Sequence, residues 1–264
     1  MAEPVVLVER SERILTVTLN RPTARNAING ALARALWDAV AASDQDPNVD
    51  VVVLTGADPD FSAGVDLKEL SGEKAATADV EPTPGRGSDG LYRFIPVIDK
   101  PIIGAINGLA ITGGFELALQ CTMLVASERA RFADTHARVG VMPGGGMTVQ
   151  LAQTIGIRRA LELSLTGNFL NAEDALVAGL VNHVVRHQEL LPFARRLAAD
   201  IVSNDQAGVR RLLRHYRDVA NAASWPEAQL LEGLMAETWR LPADLVARRQ
   251  QVMSRGRSQQ TRAD

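Results

Sequence analysis

The sequence predicts an α/β fold with a helical C-terminal part, and two observations support this. Up to about residue 185, short apolar runs typical of buried strands alternate with segments of helical periodicity. From Glu189 onward the pattern is helical, with charges spaced along it and no further strand signal. Alternating strands and helices are typical of a sheet covered by helices. We therefore expect a core domain over residues 1–190 and a helical region over residues 191–264.

In the first part of the chain, two β-rich runs separated by a short polar stretch predict a hairpin. Amphipathic segments predict helices, and continuous apolar runs predict buried strands. In order, these are strands Val5–Glu9 and Ile14–Leu19, helix Ala31–Ala42, strand Val49–Leu54, a short helix Leu91–Ile98 and strand Pro101–Ile106. The intervening stretch Ser71–Gly90 is rich in Gly, Pro, Thr and charge, which predicts a mobile loop or a partly disordered insert.

The same patterns continue to residue 185. A glycine-bearing segment opens a helix that we expect to run to about Met123. The elements predicted after it are strands Leu124–Ala126 and Ala130–Phe132, helices Thr148–Gly156, Arg159–Thr166 and Ala172–Ala178, and strand Val181–Val185.

Composition narrows the class of protein. The chain has 264 residues, of which 46% are hydrophobic and 22% charged, so it can bury a sizeable core. A net charge of -3 gives no general attraction to nucleic acid or to an anionic membrane. Cys121 is the only cysteine, the N-terminal stretch does not resemble a signal peptide, and there is no apolar run of membrane-spanning length. We expect a cytoplasmic protein with neither nucleic-acid nor membrane partners.

Two glycine-bearing segments carry the strongest functional signal. Residues 60–68 and residues 107–117 each follow an apolar run and open into a helical pattern, so each can present free backbone N–H groups. Two such groups aimed at one point form an oxyanion hole. Glu116 lies three residues beyond Gly113, within the first helical turn. This combination indicates an enzyme that enolises or hydrates a thioester.

Other chemistry-bearing patterns are incomplete. Ser62 lacks the glycine that a nucleophile elbow requires two residues earlier, and no phosphate-binding loop is present. His183 and His187 lie four residues apart without a suitably placed glutamate, which favours surface residues over a metal site. We expect neither a metal nor a separate cofactor.

The motifs occur in an order that resembles the crotonase superfamily, also called the enoyl-CoA hydratase/isomerase family. In chain order, these motifs are F-x-A-G-x-D-x-K, N-G-x-x-x-G-G-x-E-L-A, P-G-x-G, L-T-G and A-G-L-V, and they are preceded by Asn20-Arg21-Pro22 and Asn26-Ala27. The resemblance implies a ClpP/crotonase-type spiral of ββα units and a C-terminal helical region used in trimer contacts. It also implies an acyl-CoA substrate, with coenzyme A as part of the substrate, and a homotrimer or a hexamer built as a dimer of trimers.

The resemblance also assigns roles to residues. It implies that the N–H groups of Val65 and Gly113 form the oxyanion hole and that Glu116 is the first catalytic glutamate. The residues implied for coenzyme A binding are Ala24, Arg25, Ala27, Ala63, Asp66 and Leu67. The Ser71–Gly90 insert lies where family members vary the pocket for the acyl tail.

The chain departs from the hydratase pattern at the second acid. Hydratases usually carry a glutamate seven residues before the proline of P-G-x-G, and here that position is His136, because the proline is Pro143. Histidine can give or take a proton near neutrality, so His136 is either a second acid/base or a neutral side chain in the pocket wall. Asp134 is a nearby carboxylate that could orient the imidazole.

These residues predict a lyase of fatty acid metabolism that hydrates trans-2-enoyl-CoA to 3-hydroxyacyl-CoA. Other chemistry of the same family stays open, namely isomerisation of the double bond, thioester hydrolysis or decarboxylation. A protein that binds coenzyme A without catalysis is the remaining alternative.

Overall fold

The computed structural model describes residues 3–70, 90–240, 248–250 and 252–255. It divides the chain into two compact units, Met1–Leu213 and Arg214–Asp264. The predicted loop Ser71–Gly90 falls, except for Gly90, outside the described residues, and the predicted domain boundary at residue 190 stays a prediction. All the β-strands described below lie in the first unit.

The elements of the first half of the chain are three strands and two helices, followed by two pairs of strands that each lead into a helix. They are β1 (Val6–Ser11), β2 (Ile14–Leu19), α1 (Gly30–Gln45), β3 (Val51–Gly56), α2 (Leu67–Leu70), β4 (Ile102–Ile106), β5 (Leu109–Ile111), α3 (Gly113–Leu119), β6 (Met123–Ser127), β7 (Arg131–Ala133) and α4 (His136–Val139).

The second half is mostly helical. Its elements are α5 (Ala152–Ile155), α6 (Ile157–Thr166), β8 (Leu170–Asn171), α7 (Ala172–Val177), β9 (His183–Val185), α8 (Leu190–Val202), α9 (Gln206–Ala220) and α10 (Trp225–Thr238).

The strands form two sheets. The larger has the order β1-β2-β3-β4-β6-β9, in which β1 pairs antiparallel with β2 and the remaining neighbours are parallel. The smaller has the order β5-β7-β8, with β5 parallel to β7. β3 is buried along its whole length, as expected for a parallel strand covered on both faces. One face packs α1 and the glycine segments, whereas the other packs α8 through Leu190, Ala194 and Ala198.

A repeated path through the two sheets places the candidate site. The chain passes from β4 in the large sheet to β5 in the small sheet and into α3, and then from β6 to β7 and into α4. β5 and β7 are parallel neighbours, with Ile111 opposite Ala133. The helices that follow them therefore begin side by side, which brings Glu116 of α3 close to His136 of α4.

Two sequence predictions are wrong in a way that has a physical explanation. Leu91–Ile98 is not helical: Pro96 has no N–H and restricts the residue before it, and the Gln120 side chain accepts hydrogen bonds from the backbone N–H groups of Phe94 and Ile95. α3 ends at Leu119 rather than near Met123, because Thr122 already donates its backbone N–H to the Ile102 carbonyl at the sheet.

Smaller differences occur elsewhere. The helix predicted over Thr148–Gly156 begins as a π-helical turn, Met147–Leu151, before α5. The short strand β8 and the short helix α4 lie where only connecting segments were expected. The other predicted strands and helices up to residue 185 are present, with bounds that differ by a few residues.

Candidate active site

The first glycine segment turns one backbone N–H away from its neighbouring chain. Val65 forms an isolated parallel bridge with Ile28, in which Ile28 donates to the Gly64 carbonyl at 2.7 Å and Asp66 donates to the Ile28 carbonyl at 3.0 Å. Because the N–H groups of a strand alternate in direction, that of Val65 points to the opposite side. Gly64 has φ +92°, and a Cβ there would lie 2.7 Å from the Ile111 carbonyl oxygen, so the turn requires glycine.

The second glycine segment presents the start of a helix at the same place. Gly113 is the first residue of α3, and the first N–H groups of a helix have no acceptor within it. A Cβ built on Gly113 would lie 3.2 Å from the Val65 nitrogen, and one built on Gly64 would lie 3.2 Å from the Gly113 nitrogen. The two segments are therefore in close contact. Two neighbouring backbone donors can stabilise one negatively charged oxygen.

Thr112 precedes this helix with a strained backbone. Its φ of 51° and ψ of -112° lie in a region that a β-branched residue seldom occupies. The strain is held by two bonds: the Thr112 N–H donates to the Ala133 carbonyl at 2.9 Å, and the Thr112 and Thr135 hydroxyls lie 2.6 Å apart. The sequence analysis did not select Thr112, since nothing in its local sequence pattern predicts this backbone conformation.

Glu116 is almost fully buried and is held from one side by backbone donors. Its Oε1 accepts hydrogen bonds from the N–H groups of Gly145 at 2.8 Å and Met147 at 3.3 Å. Its Oε2 lies 3.9 Å from Nε2 of His136. Burial raises the pKa of Glu116, and the two backbone hydrogen bonds only partly oppose this. Glu116 therefore holds a proton more readily than an exposed glutamate does.

His136 lies between two carboxylates. Its Nδ1 is 2.6 Å from Oδ1 of Asp134, and the same oxygen accepts the His136 backbone N–H at 3.1 Å. Both side chains are buried. Burial alone would raise the pKa of Asp134, but hydrogen bonds from the His136 ring, Ser164 and the His136 backbone together lower it. Asp134 is thus a charged acceptor, and a carboxylate can only accept, so Nδ1 carries a proton.

These groups open into one cavity of about 550 Å³. Tyr92 and Phe94 on its wall have nearly perpendicular rings, with centroids 5.8 Å apart. Burial, with a contribution from the negative charge of Glu116, raises the pKa of Tyr92 to about 12, so this hydroxyl is a neutral polar group. The residues that line the cavity include Ala63, Val65, Leu67, Thr112, Glu116, His136, Val139 and Met142. The cavity thus combines an apolar wall with two buried side chains, Glu116 and His136, of types that can exchange protons.

The residues expected to bind coenzyme A lie together, but they do not all face the cavity. Ala24, Arg25 and Ala27 belong to a loop that contacts the first glycine segment, where the Ala63 N–H donates to the Arg25 carbonyl at 2.9 Å. Ala63 and Leu67 line the cavity. The nearly buried carboxylate of Asp66 accepts a hydrogen bond from Arg21 at 3.1 Å instead.

Two amide side chains that the sequence analysis did not select hold this arrangement together. Asn26, buried with φ 53°, donates to the carbonyls of Ala57 and Asp60 and accepts the Arg21 N–H. Gln120 donates to the Gly145 carbonyl at 2.9 Å. The sequence could have indicated this role, because Gln120 follows Glu116 by four residues, and residues four apart lie on the same face of a helix.

Among the residues that the structure describes, there is no group of three or more His, Cys, Asp or Glu side chains able to hold a metal ion. Within the same residues, no helix combines the length and the apolar character needed to cross a membrane.

Comparisons with known proteins identify the family of this chain. The family model described as enoyl-CoA hydratase/isomerase matches residues 9–239. A probable peroxisomal enoyl-CoA hydratase of Arabidopsis thaliana is 42% identical over 80% of this chain and 78% of its own length. The crystal structure of an enoyl-CoA hydratase from Mycobacterium tuberculosis is 48% identical, with a TM-score of 0.75 over 87% of this chain and 98% of that one.

A relative with a different activity also shares the fold. A structure described as a monofunctional enoyl-CoA isomerase from Mycobacterium smegmatis is 28% identical, with a TM-score of 0.70 over 86% of this chain and 99% of that one. Likeness of fold therefore does not by itself select the reaction.

Proposed function

The chain belongs to the enoyl-CoA hydratase/isomerase family, with the crotonase-type fold, and from that premise we propose that it hydrates trans-2-enoyl-CoA to 3-hydroxyacyl-CoA. One observation carries the proposal. The buried pair Glu116 and His136 lines the same cavity as Val65 and Thr112, which belong to the two glycine-bearing segments, and Gly113 follows Thr112 in close contact with Val65. Hydration needs these two functions together, a stabilised enolate and groups that move protons.

The proposed oxyanion hole consists of the N–H groups of Val65 and Gly113. The thioester carbonyl accepts both, and it gains negative charge when water adds at Cβ. Removing a donor of this kind typically costs about 3–4 kcal/mol of transition-state stabilisation. The donors are backbone groups held by a parallel bridge and a helix start, so they need no rearrangement when charge develops.

Proton transfer is proposed to use Glu116 and His136. The Glu116 carboxylate takes a proton from water as the water oxygen bonds to Cβ, and His136 gives a proton to Cα as the enolate collapses. The buried position of Glu116 favours this role, since a raised pKa makes its carboxylate a stronger base than an exposed one. The sum of these steps is the addition of one water molecule across the double bond.

The remaining parts of the proposal concern binding and assembly. Coenzyme A, as part of the substrate, is proposed to lie along Ala24, Arg25, Ala27, Ala63, Asp66 and Leu67, with no separate cofactor. The contact between the Arg25 loop and the first glycine segment supports one continuous surface for it. A homotrimer or a dimer of trimers, and a cytoplasmic location, complete the proposal.

The proposal is tested with a panel of trans-2-enoyl-CoAs of increasing chain length, beginning with crotonyl-CoA, and mass spectrometry of the products. We expect products heavier by one water molecule, formed far more slowly with Glu116→Gln. An enzyme that leaves the whole panel unchanged would contradict the proposal.

Isomerisation of the double bond is the second candidate, and one observation favours it. A single acid/base can suffice to move a proton between two carbons, and His136 stands where a hydratase usually has its second glutamate. In the same panel, with 3-enoyl-CoAs added, isomerisation changes retention time without changing mass. Release of free coenzyme A would instead indicate thioester hydrolysis.

A further inference from the structure

Three buried side chains lie in a row, Asp134, His136 and Glu116, and the last two line the cavity. Asp134 Oδ1 lies 2.6 Å from His136 Nδ1, and His136 Nε2 lies 3.9 Å from Glu116 Oε2. All three are buried, with 1%, 7% and 3% of their surface exposed. The imidazole therefore lies between two carboxylates, which is an arrangement of a different kind from a pair of glutamates.

Asp134 holds His136 in two ways at once. One carboxylate oxygen accepts both the backbone N–H and the ring Nδ1–H of the same residue, which leaves the imidazole little freedom to rotate. Because the carboxylate can only accept, the ring proton lies on Nδ1. The ring nitrogen that faces Glu116 is then Nε2, with a lone pair in the neutral imidazole and a proton in the imidazolium.

We propose that Asp134 is a positioning residue that fixes the tautomer and the orientation of His136, so that Nε2 alone exchanges protons with the substrate and with Glu116. This inference rests on the proposed hydration. Asp134 touches neither substrate nor reacting atoms, and it acts only through the imidazole. It does so in the way that a buried aspartate holds the histidine of a serine-protease triad.

The geometry also provides a route that resets the site. After one turnover Glu116 holds the proton that it took from water, and His136 has lost the proton that it gave to Cα. The two groups are 3.9 Å apart, too far for a direct hydrogen bond but close enough that a side-chain shift of about 1 Å makes one. Transfer of the proton from Oε2 to Nε2 restores both groups, and the net change is one water added to the substrate.

The test compares Asp134→Asn with Arg138→Ala as a matched control. Arg138 lies on the same helix as His136, where it donates to the Thr166 carbonyl and to Asn168, so its loss weakens the anchoring of α4 without touching the imidazole. Each enzyme is purified as the full chain, and two quantities are measured: kcat and KM with crotonyl-CoA, and the imidazole N–H signals in proton spectra of 15N-histidine-labelled protein. His136→Gln identifies the His136 signal.

In the parent enzyme we expect a far-downfield N–H signal that couples to Nδ1 of His136. In Asp134→Asn we expect that signal to be lost or to move to Nε2. We also expect kcat to fall on the order of 10²-fold or more, with KM within about threefold of the parent value. For comparison, replacing the aspartate of a serine-protease triad by asparagine lowers kcat about 10⁴-fold. Arg138→Ala keeps the Nδ1–H signal and keeps kcat within about threefold.

Two outcomes would overturn the inference: a parent enzyme whose His136 ring carries a proton on Nε2 and none on Nδ1, or a folded Asp134→Asn that keeps both the parent signal and the parent kcat. The parent spectrum is assigned with His136→Gln and does not need Asp134→Asn, so an Asp134→Asn protein that does not fold leaves the first of these decisive. It also needs no turnover. A parent that carries the Nδ1–H signal but does not hydrate crotonyl-CoA would contradict the proposed function and leave the positioning by Asp134 supported.

Discussion

Two regions of the cavity differ in what holds them in place. The proposed donor region consists of the backbone N–H groups of Val65 and Gly113, whereas the proposed acid–base region consists of the side chains of Glu116, His136 and Asp134. Close backbone packing that only glycine permits maintains the donor region, because a Cβ on Gly114 would lie 2.3 Å from the Ser62 carbonyl oxygen. Hydrogen bonds between side chains and backbone maintain the acid–base region.

This difference explains which region can change its chemistry. A backbone donor is the same group whatever the side chain. The donor region therefore depends on whether the two glycine-bearing segments can approach each other closely. A side-chain acid or base can be exchanged for another when its neighbours can hold it, as Asp134 holds His136. We therefore expect the donor region to define the acyl-CoA class and the acid–base region to select the reaction.

The largest effect should come from Glu116→Gln in the acid–base region. The amide keeps the size of the side chain but cannot take a proton, so we expect kcat to fall about 10²–10⁴-fold, the usual contribution of general acid–base catalysis. Steady-state kinetics with crotonyl-CoA measure kcat, and titration calorimetry checks that the variant binds coenzyme A as the parent does. Turnover within about twofold of the parent would remove Glu116 from the proposed mechanism.

The donor region is broken by Gly113→Ala. The new Cβ would lie 3.0 Å from the buried Phe94 ring, 3.1 Å from Val65 Cγ2 and 3.2 Å from the Val65 nitrogen, so it would push the two donor segments apart. We expect kcat/KM to fall about 10²–10³-fold, as when one oxyanion-hole donor is removed. Gly233→Ala, on α10 with open space around it, is the control and should leave activity unchanged. Equal activity of the two variants would contradict the proposed oxyanion hole.

A smaller effect should come from Gln120→Ala, which loosens the support of the acid–base region. Gln120 donates to the Gly145 carbonyl, and the N–H of the same Gly145 donates to Glu116. Loss of this side chain frees the Gly145 peptide. It also leaves the backbone N–H groups of Phe94 and Ile95 without their acceptor, and a buried unsatisfied donor typically costs about 1–3 kcal/mol of stability. We expect kcat to fall about 10-fold and the melting temperature to drop, measured by steady-state kinetics and calorimetry. The exposed Gln153→Ala should change neither.

The smallest effect is a pH dependence of stability to which Glu116 contributes and the backbone donors do not. The pKa of Glu116 is raised in the folded protein, so its contribution to stability is present below the unfolded pKa of about 4.3 and is lost as the pH rises through the folded value. Glu116→Gln resembles the protonated form at every pH. Urea unfolding at several pH values should show this variant to be more stable than the parent near neutrality, with no difference at acid pH. A constant difference would contradict the raised pKa.

Much of the fold could be predicted, because its strands are continuous apolar runs such as those of β3 and β4, whose length and composition are local properties. Prediction failed where a distant group overrode the local pattern. Leu91–Ile98 has helical spacing, yet Gln120 on α3 accepts its backbone N–H groups and Pro96 interrupts it. Thr112 is strained because β7 and Thr135 hold it, which is a contact between neighbouring strands.

The sequence by itself determined the two glycine turns, the place of Glu116 on the first turn of a helix and the membership of the family. The physical reason is that the limits on φ act within a single residue, so a glycine such as Gly64, with φ +92°, is informative where it stands. Only the tertiary structure decided that His136 faces Glu116 at 3.9 Å and that Asp134 holds the other side of its ring. Those distances depend on β5 and β7 pairing in register, which joins segments about twenty residues apart.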